Sequence, residues 1–267
     1  MNHAIRHGAD ADAGIGRLAA LAYLIYVEVV KAVRVPMFAL FGLVFPTLLF
    51  ALFGLPGIDE TQNGINAGRF MMASFGTYAV MGMALFSVGV SIANERGMGW
   101  HRLLRATPVR PMHLFAAKFA AAVLLGMASL LVLYLFAALV GHVRMGTASW
   151  CAMAGLLLVG MVPFIALGLG IGYTAGPSTA AAIVNLIYLP LAFASGLFIP
   201  VERLPAIIRG IAPFLPSYHI AQLGWTLLGA GDGVGIPAHL LWLAGYTALF
   251  LALARWAYRR DEQATFG

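Results

Sequence analysis

The residue types that can do chemistry concentrate in one short stretch. Residues 94–111 read NERGMGWHRLLRATPVRP: one acid, Glu95, four arginines, Arg96, Arg102, Arg105 and Arg110, and His101. The chain around them is 61% hydrophobic and 10% charged. Gly97 and Gly99 allow a sharp turn. Residues 100–106 can form two helical turns, ended at Thr107 because the residue before Pro108 avoids helical geometry. Such a helix sets Trp100, Leu103 and Leu104 on one side, with Arg102 and Arg105 elsewhere. Apolar side chains flanked by arginines suit a docking knob that enters a partner's groove and finds carboxylates at its rim. Glu95 stands at the root of the knob, where Arg96, Arg102 or a base on the partner can pair with it.

Elsewhere the sequence offers no engine. The seven histidines are scattered without metal-ligand spacing. GLGIGYTAG, with Gly168, Gly170, Gly172 and Gly176, has no lysine and lies in an apolar run, so it reads as close helix packing rather than a phosphate loop. No acid falls inside a candidate membrane span, where a coupling ion would need a ligand. No nucleophile stands with a base. The lone cysteine, Cys151, cannot form an intrachain disulfide. These absences argue against a secondary carrier and against a membrane-embedded transferase or protease.

The elements that position these residues follow from composition. Soluble domains carry roughly 25% charged residues; the deficit here means that the solvent is mostly lipid. The net charge of +6 sits in short loops, which fits membrane orientation and not nucleic-acid binding. Six apolar stretches approach the ~20 residues that cross a bilayer: 37–55, 71–93, 114–140, 150–173, 179–199 and 238–256. No period-two polarity suggests a barrel, so the expected fold is all-α and polytopic. With six spans, twelve of the sixteen Lys and Arg lie on the side holding both termini and the 94–111 loop. That side is expected to be cytoplasmic.

Residues 1–15 are expected to be a disordered tail and 261–267 a C-terminal tail. Residues 16–35 mix Leu18, Leu21, Leu24 and Ile25 with Arg17, Glu28, Lys31 and Arg34, which predicts an amphipathic helix lying on the membrane surface before the six-span region 36–260. Phe75, Tyr78, Phe86, Asn185, Tyr188 and Phe193 are candidates for a substrate pathway, apolar and aromatic enough for an amphiphile.

Two motifs carry a family resemblance. ERGMGWHRLLRATPVRPMHLFAAK resembles the loop after the second helix of permeases in the ABC type 2 exporter family, through Glu95, Arg96, Gly97, Leu103, Leu104, Thr107, Pro108 and Lys118. SGLFIPVERLPAIIRGIAPFLPSYHI resembles the family's fifth-helix segment, through Ser195, Gly196, Phe198, Pro200, Leu204, Pro205, Pro213, Pro216 and Tyr218. The likeness covers the six-span layout, nearly the whole chain. It departs near Gly224 and Trp225, where many members carry an arginine. The resemblance implies a coupling helix formed by the 94–111 loop and seated in a separate ATP-binding subunit, present in two copies. It also implies a second permease subunit, giving a homodimer, and short re-entrant helices over 200–228 on the outer side. ATP and magnesium would belong to the partner, leaving this chain without cofactor, metal or catalytic residues of its own. The expected activity is export of a drug or lipid-like molecule across a bacterial cytoplasmic (inner) membrane. Export of a polysaccharide, glycolipid or ion by the same architecture is the alternative.

Overall fold

The computed structural model describes residues 2–35, 38, 40–99 and 111–266. The order of elements is α1 (Asn2–Val33), α2 (Leu40–Gly54), a two-stranded hairpin β1 (Thr61–Gln62) and β2 (Ile65–Asn66), α3 (Ala67–Gly97), α4 (Pro111–Leu139), α5 (Thr147–Thr174), α6 (Pro177–Ala194), α7 (Ala206–Ile211), α8 (Pro216–Leu227) and α9 (Ile236–Phe266). Strands β1 and β2 pair antiparallel, Thr61 with Asn66 and Gln62 with Ile65.

Five of these helices, α3, α4, α5, α6 and α9, have candidate spans long and apolar enough to cross a membrane. The expected first span is the exception. Over 37–55 the described helix is Leu40–Gly54, shorter than the others. At about 1.5 Å per residue it falls short of a bilayer core of about 30 Å. Two stretches of it, Leu40–Val44 and Phe50–Gly54, are wound as π-helix. Pro46, between them, has no N–H to give to the preceding turn.

Helix α3 is the hub. Its span is 78% enclosed by the rest of the chain, whereas that of α9 is 11% enclosed and faces outward. Asn66 caps its start, accepting from the Arg69 amide at 3.2 Å. Small residues let α5 come close to it. A Cβ on Gly89 would sit 3.1 Å from the Gly168 carbonyl oxygen, and one on Gly172 would meet Ile92 at 2.8 Å. The glycine run of α5 therefore packs helices, as its spacing suggests. The α5 helix breaks at Met161, just before Pro163, and α6 carries Pro190 inside it.

Both ends of the described chain are helical. The α1 helix takes in the segment expected as a tail, where alanines favour helix, and the 261–267 segment begins as a continuation of α9. The α1 helix packs along α4. Glu28 reaches inward to Lys118, and Lys31, which the sequence reading set with the other basic residues near headgroups, pairs with Glu95 while staying partly exposed.

Candidate functional site

The last turn of α3 ends in Glu95-Arg96-Gly97, the root of the 94–111 segment. Successive residues of a helix point about 100° apart, so these three reach different neighbours. Glu95 is only 4% exposed. Its Oε1 accepts from Lys118 Nζ on α4 at 2.7 Å, from Ser91 Oγ at 3.2 Å, and from Lys31 Nζ on α1. Glu28 closes the group: its Oε2 lies 3.0 Å from Lys118 Nζ and its Oε1 3.2 Å from Lys31 Nζ. Two carboxylates and two ammonium groups sum to zero, which makes burial tolerable where a lone charge would not be. Burial by itself would lower the pKa of Lys31. Hydrogen bonding and attraction from Glu95, then Glu28, outweigh it and raise the value above the ordinary lysine range.

Arg96 turns the other way. Its Nη1 donates to the carbonyls of Gly172 at 2.9 Å and Ala175 at 3.2 Å, at the end of α5. Its Nε donates to Asp261 Oδ1 on α9 at 3.0 Å, and its Cζ stands 5.9 Å from the Tyr173 ring centre. Gly97 meets α6. A Cβ there would lie 2.2 Å from Pro177 Cγ, too close for any side chain. Three consecutive residues thus bind α1 and α4, α5 and α9, and α6. Gly99 follows with φ of 71°, a left-handed turn that glycine permits.

This arrangement corrects the sequence reading of Glu95. It does not pair with Arg96; its partners are Lys31 and Lys118. The signal was faint. Lys118 stood in the motif, but nothing in the sequence joined it to Glu28 and Lys31, 90 and 64 residues from the sites they reach. Trp100, Arg102, Leu103, Leu104, Arg105 and Pro108 lie outside the described residues.

The candidate pathway residues partly converge. Tyr78 and Tyr188 stand with ring centres 4.5 Å apart, and the Tyr188 hydroxyl donates to the Tyr78 carbonyl at 2.7 Å. Phe86 meets Tyr188 edge-on, and Phe198 contacts Phe75, Tyr78 and Phe193. Phe75, Tyr78 and Tyr188 are buried, so this is a packed aromatic cluster between α3 and α6. Asn185 stays apart on an exposed face of α6, donating to the Ala181 carbonyl of its own helix at 3.1 Å.

The fifth-helix motif forms the opposite end of the bundle. Gly196 has φ of 83°, and a Cβ there would collide with Val201 at 2.5 Å. Ser195 hydrogen-bonds Ser217, whose Oγ also lies 3.1 Å from the Leu191 carbonyl. The prolines begin short helices: Pro200 precedes the turn Val201–Arg203, Pro205 precedes α7, and Pro216 opens α8. A ring locked near the helical φ costs nothing where no N–H is needed. The α8 helix is buried, with Trp225 stacked on Phe70 at 4.7 Å and its indole N–H given to Ser74 Oγ at 3.1 Å. Beside it lies a cavity of about 240 Å³, whose lining includes Glu202, Tyr218, Gln222 and Asp232. The sequence reading missed that His219 and His239 meet here, with Nδ1 atoms 3.0 Å apart. Twenty residues and a chain reversal separate them, so no spacing rule finds them.

Comparison with known proteins agrees with this geometry. Residues 56–256 match the family model described as ABC-2 family transporter protein. The chain is 29% identical over 238 residues to YvfS of Bacillus subtilis (strain 168), whose name gives it provisionally as a transport permease. That alignment covers 88% of this chain and 95% of the relative.

Proposed function

The chain belongs to the ABC-2 family of transporter proteins, and from that premise we propose that it is the membrane-spanning permease subunit of an ATP-driven exporter. Family membership makes it a multi-pass membrane protein that works with an ATP-binding cassette partner. The finer reading is ours. Two copies pair in a bacterial inner membrane, each with six spans and both termini in the cytoplasm, α2 supplying the first span. The 94–111 segment is the coupling helix, seated in the ATPase. Residues 200–228 form outer re-entrant helices. The cargo is a hydrophobic or amphiphilic molecule, in keeping with the aromatic cluster of Phe75, Tyr78, Phe86 and Tyr188.

The observation that carries this reading is the Glu95-Arg96-Gly97 root. A force applied to a segment is useful only if its base is fixed to what must move. Here the base is bonded to α1, α4, α5 and α9 and wedged on α6. Displacing the segment displaces these helices with it, as rigid-body gating requires. ATP binding and hydrolysis stay on the partner, and this chain supplies positioning alone.

The test uses the chain co-expressed with its ATP-binding subunit and reconstituted in liposomes. Trp100→Ala with Leu104→Ala should abolish co-purification and coupled hydrolysis, because burying each apolar side chain is worth roughly 1.5–3 kcal/mol. Arg105→Gln should be milder and salt-dependent. Glu95→Gln should leave the complex assembled and uncouple hydrolysis from transport. Wild-type transport by the Trp100/Leu104 double variant would overturn the docking role.

A further inference from the structure

The polar network beside the cavity takes no part in the mechanism above. Asp232 lies in the loop between α8 and α9. Its Oδ2 accepts from the Tyr218 hydroxyl at 2.9 Å, and its Oδ1 from the Val234 amide at 3.0 Å. The same Oδ1 faces His239 Nε2 at 3.2 Å, and His239 Nδ1 faces His219 Nδ1 at 3.0 Å. Both rings are buried, and His219 is stacked on Trp242 with ring centres 5.0 Å apart. The remaining nitrogen, His219 Nε2, is buried without a hydrogen-bond partner.

Counting protons over these four contacts gives a definite result. With both rings neutral, His239 must carry its proton on Nε2 to give Asp232 a donor. His219 must then carry its own on Nδ1, to fill the contact between the rings. That leaves His219 Nε2 a buried lone pair without a donor, which costs free energy. One added proton changes every bond. His239 then donates from both nitrogens, to Asp232 and to His219 Nδ1, and becomes an imidazolium beside a carboxylate. The His219 proton moves to Nε2. A second added proton would set two N–H groups against each other at 3.0 Å and place two cations together.

We propose that Asp232, His239 and His219 form a site for a single proton that clamps α8 to α9 at the wall of the cavity. Both Asp232 and Tyr218 line that cavity, so the occupancy of the site is felt where a ligand would sit. The proposal does not depend on the exporter reading. Burial, followed by the neighbouring His239, pushes the His219 imidazole down to about 4, in keeping with refusal of a second proton. Burial alone would raise Asp232. The Val234 amide, Tyr218 and His239 outweigh it and hold the carboxyl below its usual range, so the counter-charge persists. The other ionisable groups facing the site are Tyr218 on α8, Tyr246 on α9, whose hydroxyl bonds the Phe214 carbonyl, and Glu202 near Tyr218. Against α3 and α5, α8 presents Trp225 and Ile220, which meet Phe70, Ser74 and Gly160, none of them ionisable. No described lysine or arginine pairs with Asp232.

The sign is therefore fixed. The clamp strengthens as the site takes up its single proton on acidification, and fails where a second proton is forced onto His219, which burial and His239 hold down to about 4. The experiment is hydrogen exchange over residues 216–239 of the full chain in lipid nanodiscs, scaled to intrinsic rates, at pH 8 and pH 6. Protection should be several-fold higher at pH 6 than at pH 8. His239→Gln and Asp232→Asn should each remove the pH dependence, and Arg34→Gln, at an exposed position just after α1, should leave it. Nitrogen-15 histidine spectra of the wild type, assigned with His219→Gln, should show the His219 proton on Nδ1 at pH 8 and on Nε2 at pH 6. Protection unchanged between pH 8 and pH 6, pH dependence that survives His239→Gln, or a His219 tautomer that does not change would each overturn the proposal.

Discussion

The two ends of the helix bundle solve the problem of buried polarity in opposite ways. At the Glu95 end, four full charges from three helices sum to zero, and Lys118 and Glu95 are almost wholly enclosed. At the Asp232 end, a single carboxylate is held by a hydroxyl, an amide and one imidazole, which in turn meets a second, all drawn from residues 218–239. The first network is built from two acids and two lysines joined by ion pairs. It is rigid, and removing one member leaves an uncompensated charge. The second turns on two imidazoles, whose protons can be redistributed between ring nitrogens. Each bond is weaker, but the set can be reset without breaking.

The largest expected effect is at the charged end. Lys118→Met leaves two buried carboxylates with one lysine and should cost about 3–5 kcal/mol, read as a lower midpoint in thermal unfolding of the purified protein. Adding Glu95→Gln should restore much of that loss. A Lys118→Met variant that unfolds like the wild type would break the comparison. Next comes the wedge on α6. Gly97→Ala places a methyl group where Pro177 already lies, and overpacking of this kind costs about 1–3 kcal/mol in the same measurement. At the other end, Tyr218→Phe removes one bond to a carboxylate, worth roughly 1.5 kcal/mol. The Asp232 contribution should be present above about pH 4 and lost as pH falls through its lowered value; Asp232→Asn should lack that acid limb in unfolding midpoints measured against pH. The smallest effect belongs to Lys31, whose side chain is 42% exposed. Its pKa is raised from 10.5, so its hold on α1 should persist below that pH and fade as pH rises past it. Spin-label distances between α1 and α4 should lengthen there, and high salt should weaken the contact at any pH.

How much of this was legible in the sequence depends on the range of the interaction. Apolar length reports burial in lipid directly, so α3, α4, α5, α6 and α9 were found from composition. The glycines of α5 were read correctly because small residues at helical spacing have one main physical use. The α2 span was harder: its described part, Leu40–Gly54, is shorter than the stretch that composition marks, and it carries Pro46 and two π-turns. Glu95 was singled out for its place at the root of the loop, but its partners were not, because Glu28, Lys31 and Lys118 come from helices brought together only by folding. Surface-helix periodicity cannot tell an acid that faces water from one that faces another helix's lysine. The histidines failed for the same reason, and the absence of metal-ligand spacing said nothing about a pair meeting across a chain reversal.

Helix α6 is held at both extremities, by Gly97 against Pro177 at one and by Ser195 against Ser217 at the other, with Pro190 near the second. A proline ring removes one rung of the backbone ladder, and the helix bends there more easily than elsewhere. The remaining rungs still resist stretching. The α6 helix therefore behaves as a connecting rod with a joint near one end. A thrust along its axis from Gly97 arrives at Ser195 almost undiminished, whereas a sideways tilt is spent in the joint, so of the motions available at the Glu95 end, axial displacement is the one delivered to α8.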